Sequence, residues 1–464
     1  MENNKEVKAS ALYLVGNIST KAIGFITIPI FTRLLTTSEY GIVNTYTSWV
    51  NITSVVMTLS LFNSFRMALV EKGKDFESYC ASAIRLSGTF FCIFVVLATL
   101  VLAIFPDLRG IGWMVYACLI QAFGTFCVTA MSTKYMLQFQ YAKRAFYMIF
   151  PNLLCAAIAI VSTSMHKNNR YIWRILSYVM VYAIFSAIAF SATRKGRTKP
   201  EYWKYAISYS LPLVFHGLSL VILSSSDRIM ITAIAGAAES GIYSLVYNLG
   251  QVATAVATSL EGIWLPWFIE KLKNKEIAII NEKAKYLVEN ITVVVIGVML
   301  VAPEILQIMA SEQYWTGKPI IFPVVVASYF MFLYDLAVNV EYQYKATKKI
   351  AINTMMAAAI NAILNVVFIP IFGAIAAAYT TVIAYFFSLV LHCYFAKKFV
   401  PGIFPVKRYL SYFFSVLFIS ILCELIYSIE YATIRWCIAG ALGVIYLFLM
   451  FRRKRFIALQ IRMD

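Results

Sequence analysis

The run AIRLSGTFFCIFVVLATLVLAIF, Ala83–Phe105, carries one charged side chain, Arg85, near its start and is free of charge from there to its end. An α-helix rises about 1.5 Å per residue and a bilayer's hydrocarbon core is about 30 Å thick, so about 20 apolar residues cross it. In lipid, backbone N–H and C=O groups must be satisfied within the structure, and a single run achieves this as a helix. Ala83–Phe105 therefore reads as a transmembrane helix.

The pattern recurs about fourteen times: Gly16–Leu34, Ile42–Phe62, Ala83–Phe105, Gly112–Met131, Phe146–Met165, Tyr171–Ala192, Tyr209–Thr232, Gly241–Trp264, Tyr286–Met309, Pro319–Asn339, Ile350–Ile371, Gly373–Ala396, Ser411–Ile429 and Tyr431–Phe451. Between the eleventh and twelfth, Pro370–Gly373 is compatible with a tight turn or a kink in one longer helix. Composition agrees with the pattern: 61% of residues are hydrophobic and only 13% charged. A soluble domain carries about 25% charge. The fold class is an all-α integral membrane protein.

The net charge of +18 invites a nucleic-acid reading. The distribution of the charge excludes it. With the N-terminus placed in the cytoplasm and the sides alternating, 31 of the 40 Lys and Arg residues fall in cytoplasmic segments and 7 in outer ones. This is the positive-inside asymmetry of a bilayer protein, with both termini cytoplasmic. The start, Met1–Lys8, is polar and mixed in charge and lacks a cleavable signal pattern. The eight cysteines show no C-x-x-C spacing and read as buried small hydrophobes, so neither a metal site nor a cofactor is expected.

The chain resembles itself at an offset of about 200 residues. Glu39-Tyr40-Gly41-Ile42 recurs as Glu239-Ser240-Gly241-Ile242, and Ala142-Lys143-Arg144 recurs as Thr347-Lys348-Lys349. A shift of six spans preserves orientation, so the repeats are parallel. Residues 1–196 and 197–400 then form two six-helix lobes, and 401–464 adds two helices and a basic tail. Such architectures place a substrate site between the lobes near the midplane.

Polar residues inside spans are costly and face a bundle interior or a water-filled cavity. Span 1 carries Lys21, and span 2 a stripe through Asn51. Span 7 carries His216, Asp227 and Arg228, and span 8 a stripe through Tyr247, Gln251 and Glu261. Asp227, Glu261 and Asp335 are the candidates for ion coupling, since desolvation makes a carboxylate at depth titratable. Arg33 and Arg66 flank the first two spans at opposite ends and suit either an anionic ligand or the interface. His392 reads as a packing or hydrogen-bonding group. Trp267–Lys285 and Lys199–Lys204 read as amphipathic interfacial stretches. There is no phosphate-binding Gly-rich loop, so ATP hydrolysis is not expected.

Several of these segments resemble a known family. Ile28-Pro29-Ile30-Phe31-Thr32-Arg33-Leu34-Leu35 with Glu39-Tyr40-Gly41 resembles the start of bacterial polysaccharide transporters, as do Ser225-Ser226-Asp227-Arg228-Ile229-Met230-Ile231 and Gly241-Ile242-Tyr243-Ser244. These are O-antigen and capsule repeat-unit flippases of the multidrug, oligosaccharidyl-lipid and polysaccharide flippase superfamily. The resemblance implies a MATE-like fold in a bacterial plasma membrane and a non-enzymatic flippase for undecaprenyl-pyrophosphate-linked glycans. It also implies glycan polymerase and glycosyltransferase partners. Lys21, Arg33, Arg66 and Arg228 are then the candidates for the pyrophosphate. Two other readings share the architecture: a cation-coupled multidrug efflux pump and a flippase for the peptidoglycan lipid precursor.

Overall fold

The computed structural model describes Thr20, residues 22–427 and residues 432–452. Among these residues the chain is helical, without strands. The helices are α1 (Ala22–Leu34), α2 (Thr37–Thr58), α3 (Phe65–Lys72), α4 (Phe76–Ile104), α5 (Gly112–Leu137), α6 (Tyr141–Met165), α7 (Arg170–Ala192), α8 (Pro200–Ile234), α9 (Ala237–Lys273), α10 (Ile277–Met309), α11 (Lys318–Gln343), α12 (Thr347–Phe372), α13 (Ala374–Phe399), α14 (Val406–Tyr427) and α15 (Ala432–Arg452).

Each apolar run of the sequence coincides with one of these helices, and α3 is extra. Nine of the described helices are long and apolar enough to cross a membrane, ten with the bent α9. The expected fourteen exceeds that number for identifiable reasons. Helix α2 is diluted by Asn44, Thr45, Thr47, Ser48, Asn51, Thr53 and Ser54, while α1, α14 and α15 show shorter apolar stretches among the described residues. The outward surface is that of a membrane protein. On α4, Ile93, Val96, Leu97, Leu100 and Ile104 are all exposed, an apolar face too large for a soluble monomer.

The chain divides into two compact units, Met1–Thr232 and Ala233–Asp464. In the first, α5 packs against α7, α2 and α6. Gly124 permits the closest approach: a Cβ there would lie 2.6 Å from both Cβ and the carbonyl oxygen of Tyr182 on α7. At the basic end, Lys134 is buried and pairs with Glu77 at 2.5 Å. The segment joining α7 to α8 is fastened to α4. Arg85 donates to the carbonyls of Gly196 (2.7 Å) and Arg194 (3.1 Å) and to Thr198 Oγ1 (2.5 Å). Lys199 and Tyr202 both hydrogen bond Asp75 Oδ2, at 2.9 and 2.8 Å. They hold that carboxyl below the usual carboxylate range. Trp203 Nε1 donates to Ser82 O at 3.1 Å. The Lys199–Lys204 stretch thus begins α8 docked on α4 rather than lying free at the interface.

The second unit is organised around α11, packed between α13, α9 and α10. Helices α12 and α13 are joined by buried amides and hydroxyls: Asn361 Nδ2 donates to Thr381 Oγ1 at 3.2 Å, and Thr380 donates to Asn365. They are separate helices, because Gly373 between them takes φ +67°, a left-handed conformation that glycine adopts without strain. Helix α9 runs on through Lys273 with a 44° bend between Gly262 and Trp264. Pro266 lacks the N–H that would bond to Gly262 O. The Trp267–Lys285 stretch is accordingly corrected. It is the end of α9, a turn at Asn274–Glu276 and the start of α10, not one interfacial helix.

Helices α14 and α15 attach to α10 through polar contacts. Tyr412 meets Glu289 at 3.3 Å, Tyr446 meets Asn290 at 3.3 Å, and Arg435 pairs with Glu304, which also accepts from Trp436 Nε1 at 3.1 Å.

The repeated glutamates occupy equivalent places. Glu39 forms a capping box with Thr36 at the start of α2 and accepts from the backbone N of Arg170, the first residue of α7, at 2.7 Å. Glu239 occupies the corresponding first turn of α9. Its Oε2 would stand 3.6 Å from a Cβ on Gly373, which caps the start of α13. In each unit, the glutamate of the repeat's second helix reaches the start of its sixth.

The cysteines divide by environment. Cys80, Cys118, Cys127 and Cys155 are buried as expected, Cys393 is half-buried, and Cys92 and Cys437 are exposed on apolar helices. The expectation of general burial is corrected for the last two, and Cys423 lies among side chains outside the description.

Candidate functional site

In the first unit the polar stripes of α2 and α8 meet. Thr45 Oγ1 lies 2.5 Å from Thr232 Oγ1 and 3.3 Å from Arg228 O. Asp227 is 1% exposed. Arg228 is half-buried, and its Nη1 donates to Ser224 O one turn back along α8, at 3.3 Å. Asn51 and Arg66 are exposed on α2 and α3. Arg33 is exposed and folds onto its own helix, donating to Pro29 O at 2.8 Å. Lys21 and the His216 side chain lie outside the described residues.

A cation within the sixth apolar run, not among the expected site residues, is half-buried in this unit. Arg174 on α7 stands over the Phe31 ring at 3.8 Å and beside Tyr40 at 5.4 Å, a cation–π arrangement.

In the second unit α9 and α11 bring acidic and phenolic groups together. Asn339 Nδ2 donates to Glu261 Oε1 at 3.2 Å. Asp335, one turn from Asn339, lies within electrostatic range of Glu261, and Tyr334 within range of Asp335, Glu261 and Tyr247. Two of the three ion-coupling candidates therefore occupy one locus, while Asp227 belongs to the other unit. The α9 stripe does not face a single environment. Tyr243 is fully buried and stacks toward Tyr247 at 6.0 Å, Gln251 and Glu261 are half-buried, and Thr258 is exposed.

A second pair in this unit was not legible as a site. Glu341 on α11 and His392 on α13 are both fully buried, with Nδ1 2.7 Å from Oε1. The imidazole stacks on Tyr334 at 5.5 Å, and Tyr334 on Tyr385 at 5.9 Å. Fifty-one residues separate the two partners, so no local spacing announces them. An apolar cavity of about 370 Å³ lies between α11, α13 and α14, lined by Tyr329, Phe330, Ile383, Phe386, Phe413 and Leu417 among others.

Residues 7–272, more than half of the chain, match the family described as polysaccharide biosynthesis protein. The chain belongs to that family. A Haemophilus influenzae protein named for the Lsg locus is 23% identical over 283 residues, which are 59% of this chain and 69% of that protein. The structure of the lipid II flippase MurJ in an inward closed conformation superimposes with a TM-score of 0.67 and 15% identity, covering 96% of this chain and 99% of that one. An inward-facing multidrug resistance MATE family transporter of the MOP superfamily gives 0.52 and 14%, covering 82% and 96%. At these identities the likeness establishes the fold: this member of the polysaccharide biosynthesis family is a multi-pass membrane protein with the fold of MurJ and the MATE transporters. The family match spans Asp227, Arg228, Tyr247, Gln251 and Glu261 and ends before α10.

Proposed function

We propose that this protein is a flippase that moves undecaprenyl-pyrophosphate-linked oligosaccharide repeat units across the bacterial plasma membrane by alternating access. The observation that carries the reading is the family match over residues 7–272 in a chain with a transporter fold. The chemistry is consistent with it. The cargo combines an anionic pyrophosphate, a polar glycan and a lipid tail, and Lys21, Arg33, Arg66 and Arg228 are the proposed contacts for the anion. The lobes 1–196 and 197–400 are the proposed moving bodies, with both termini cytoplasmic and glycan polymerase and glycosyltransferases as partners.

One observation favours a second reading. The acidic locus of Glu261 and Asp335 is the kind of site a cation-coupled multidrug transporter uses. Purified protein in liposomes, given a fluorescent undecaprenyl-pyrophosphate oligosaccharide, separates the two. Translocation that collapses in Lys21→Ala and Arg228→Ala, with folding intact, supports the flippase. Absence of glycolipid movement together with ion-driven export of an organic cation replaces it by the pump. Movement of the peptidoglycan lipid precursor in preference to other glycolipids reassigns the cargo.

A further inference from the structure

We propose that Glu341 and His392 form a proton-binding site, separate from the Glu261–Asp335 locus, that takes its proton from the basic end of the second unit. Three features of the pair carry this. Both side chains are 0% exposed. They come from different helices and meet through one short contact, Nδ1 to Oε1 at 2.7 Å. Beyond that contact, Glu341 Oε2 and His392 Nε2 are buried and find no hydrogen-bond partner among the described residues.

The electrostatics follow from counting charge. An ionised carboxylate beside a neutral imidazole leaves a net negative charge in an apolar setting, which is strongly disfavoured. One added proton makes the pair neutral overall, whether it sits on the imidazole or on the carboxyl. A second proton would make it positive. The dry pair is thus neutral with one proton bound, and no covalent bond other than O–H or N–H changes when it comes or goes. The Nδ1–Oε1 contact already holds one proton, so in exchange the added proton moves from water to His392 Nε2 or Glu341 Oε2 and returns the same way.

The surroundings fit a proton and no larger cation. From α11 the pair is faced by the Tyr334 ring and lies within electrostatic range of Tyr342. From α13 come Tyr385, which stacks on Tyr334, and Cys393, beside which stands Lys397. Helix α9 brings Glu261, which meets Asn339 and lies within electrostatic range of Asp335. Helix α12 brings Lys349 over the rings of Phe395 and Phe399, at 5.1 and 4.7 Å. Helices α10 and α14 meet α11 through Thr292–Tyr329 and Phe413–Phe330. Among the described residues no third His, Cys, Asp or Glu joins the pair to make a metal site. The exit is short: α11 ends at Gln343, two residues after Glu341, and Lys397 follows His392 by five residues, about 8 Å along α13. This proposal depends on the transporter reading only for its use, since opening α11 from α13 during a transport cycle would hydrate the pair and exchange its proton.

The test needs no cargo. The chain has three histidines, so the double variant His166→Asn/His216→Asn leaves His392 alone with the dyad intact. In lipid nanodiscs, nitrogen NMR of ¹⁵N-histidine reads imidazolium against imidazole, and infrared spectroscopy reads carboxylic acid against carboxylate. The bound proton is expected at neutral pH as imidazolium or as a protonated carboxyl whose signal disappears in Glu341→Gln. Neutral imidazole together with ionised Glu341 at that pH overturns the proposal. If Glu341→Gln does not fold, the double variant still decides, because a pair carrying no proton shows neither signal. Failure here leaves the flippase reading standing, and failure of glycolipid transport leaves this measurement unaffected.

Discussion

Asn339 on α11 donates to Glu261 on α9 across 3.2 Å, and Asp335 lies one turn from that amide, near enough to Glu261 for their charges to interact. A neutral amide therefore satisfies one carboxylate, while a second on the same face disfavours having both ionised. Groups held against their electrostatic preference cluster at functional sites. Asp335→Asn removes a carboxyl that disfavours ionisation of Glu261 and is expected to raise Tm by about 1–2 °C while reducing transport if it is ion-driven. Asn339→Ala removes the donor and is expected to lower Tm. Thermal unfolding of the purified variants, paired with flux measurements in liposomes, checks both. A loss of Tm in Asp335→Asn would show that the two carboxylates do not oppose each other.

Glu304 and Arg435 tie α15 to α10, with side chains 12% and 7% exposed. Removing one partner of a buried pair leaves the other charge uncompensated, at about 3–5 kcal/mol, whereas replacing both is far milder. Glu304→Gln or Arg435→Gln alone is therefore expected to destabilise strongly. The double variant should recover most of the loss. A double-mutant cycle by thermal unfolding reads this directly, and additive losses would mean that the pair contributes no coupling.

The α7–α8 segment carries the trypsin sites Arg194, Lys195 and Arg197, with Lys199 protected by Pro200, and Arg85 holds its carbonyls. Arg85→Gln is expected to speed tryptic cleavage between Arg194 and Lys199 several-fold in inside-out vesicles. In right-side-out vesicles no cleavage is expected if the basic ends are cytoplasmic. Asp75 adds a pH dependence. Lys199 and Tyr202 lower its carboxyl below the unfolded value of about 3.9. Its contribution is therefore fully present above that value and is lost as the pH falls through the lowered folded one. Asp75→Asn should reduce Tm slightly at neutral pH, and the difference should close in strong acid. The group is exposed, so added salt should shrink the effect.

The sequence was most informative where physics acts locally. Apolar runs such as Ala83–Phe105 located the helices, since lipid contact demands unbroken hydrophobicity. The Glu39 and Glu239 repeat marked two equivalent helix starts. What those glutamates reach, Arg170 N and the Gly373 turn, depended on tertiary packing. Trp267–Lys285 misled because its mixed charge resembles an interfacial helix, and only the α9 bend and the turn at Asn274–Glu276 divide it. Glu261 and Asp335 were legible as acids at depth, but their sharing one locus was not. His392 was legible as a hydrogen-bonding group, but its pairing with Glu341 was not, because nothing in a chain of one sequence links positions 51 apart.

Gly124 separates close packing from mere proximity. A Cβ there would stand 2.6 Å from the Tyr182 carbonyl oxygen and 2.9 Å from its carbonyl carbon, both backbone atoms of α7. Backbone cannot swing aside, so α5 and α7 would have to part along their length. Gly250 offers the comparison: its nearest neighbour would be Val324 Cγ1 at 2.5 Å, a side-chain atom that can turn. Overpacking that forces backbone shifts costs about 1–3 kcal/mol or more. Gly124→Ala is therefore expected to lower Tm by several degrees and to cost more than Gly250→Ala. Small residues let membrane helices approach closely where lipid supplies no hydrophobic drive, so the same variant should also cut the yield of folded protein in membranes. Equal Tm values for the two variants would mean that α5 and α7 have slack at this contact and that the close approach of Gly124 to Tyr182 is not what holds them together.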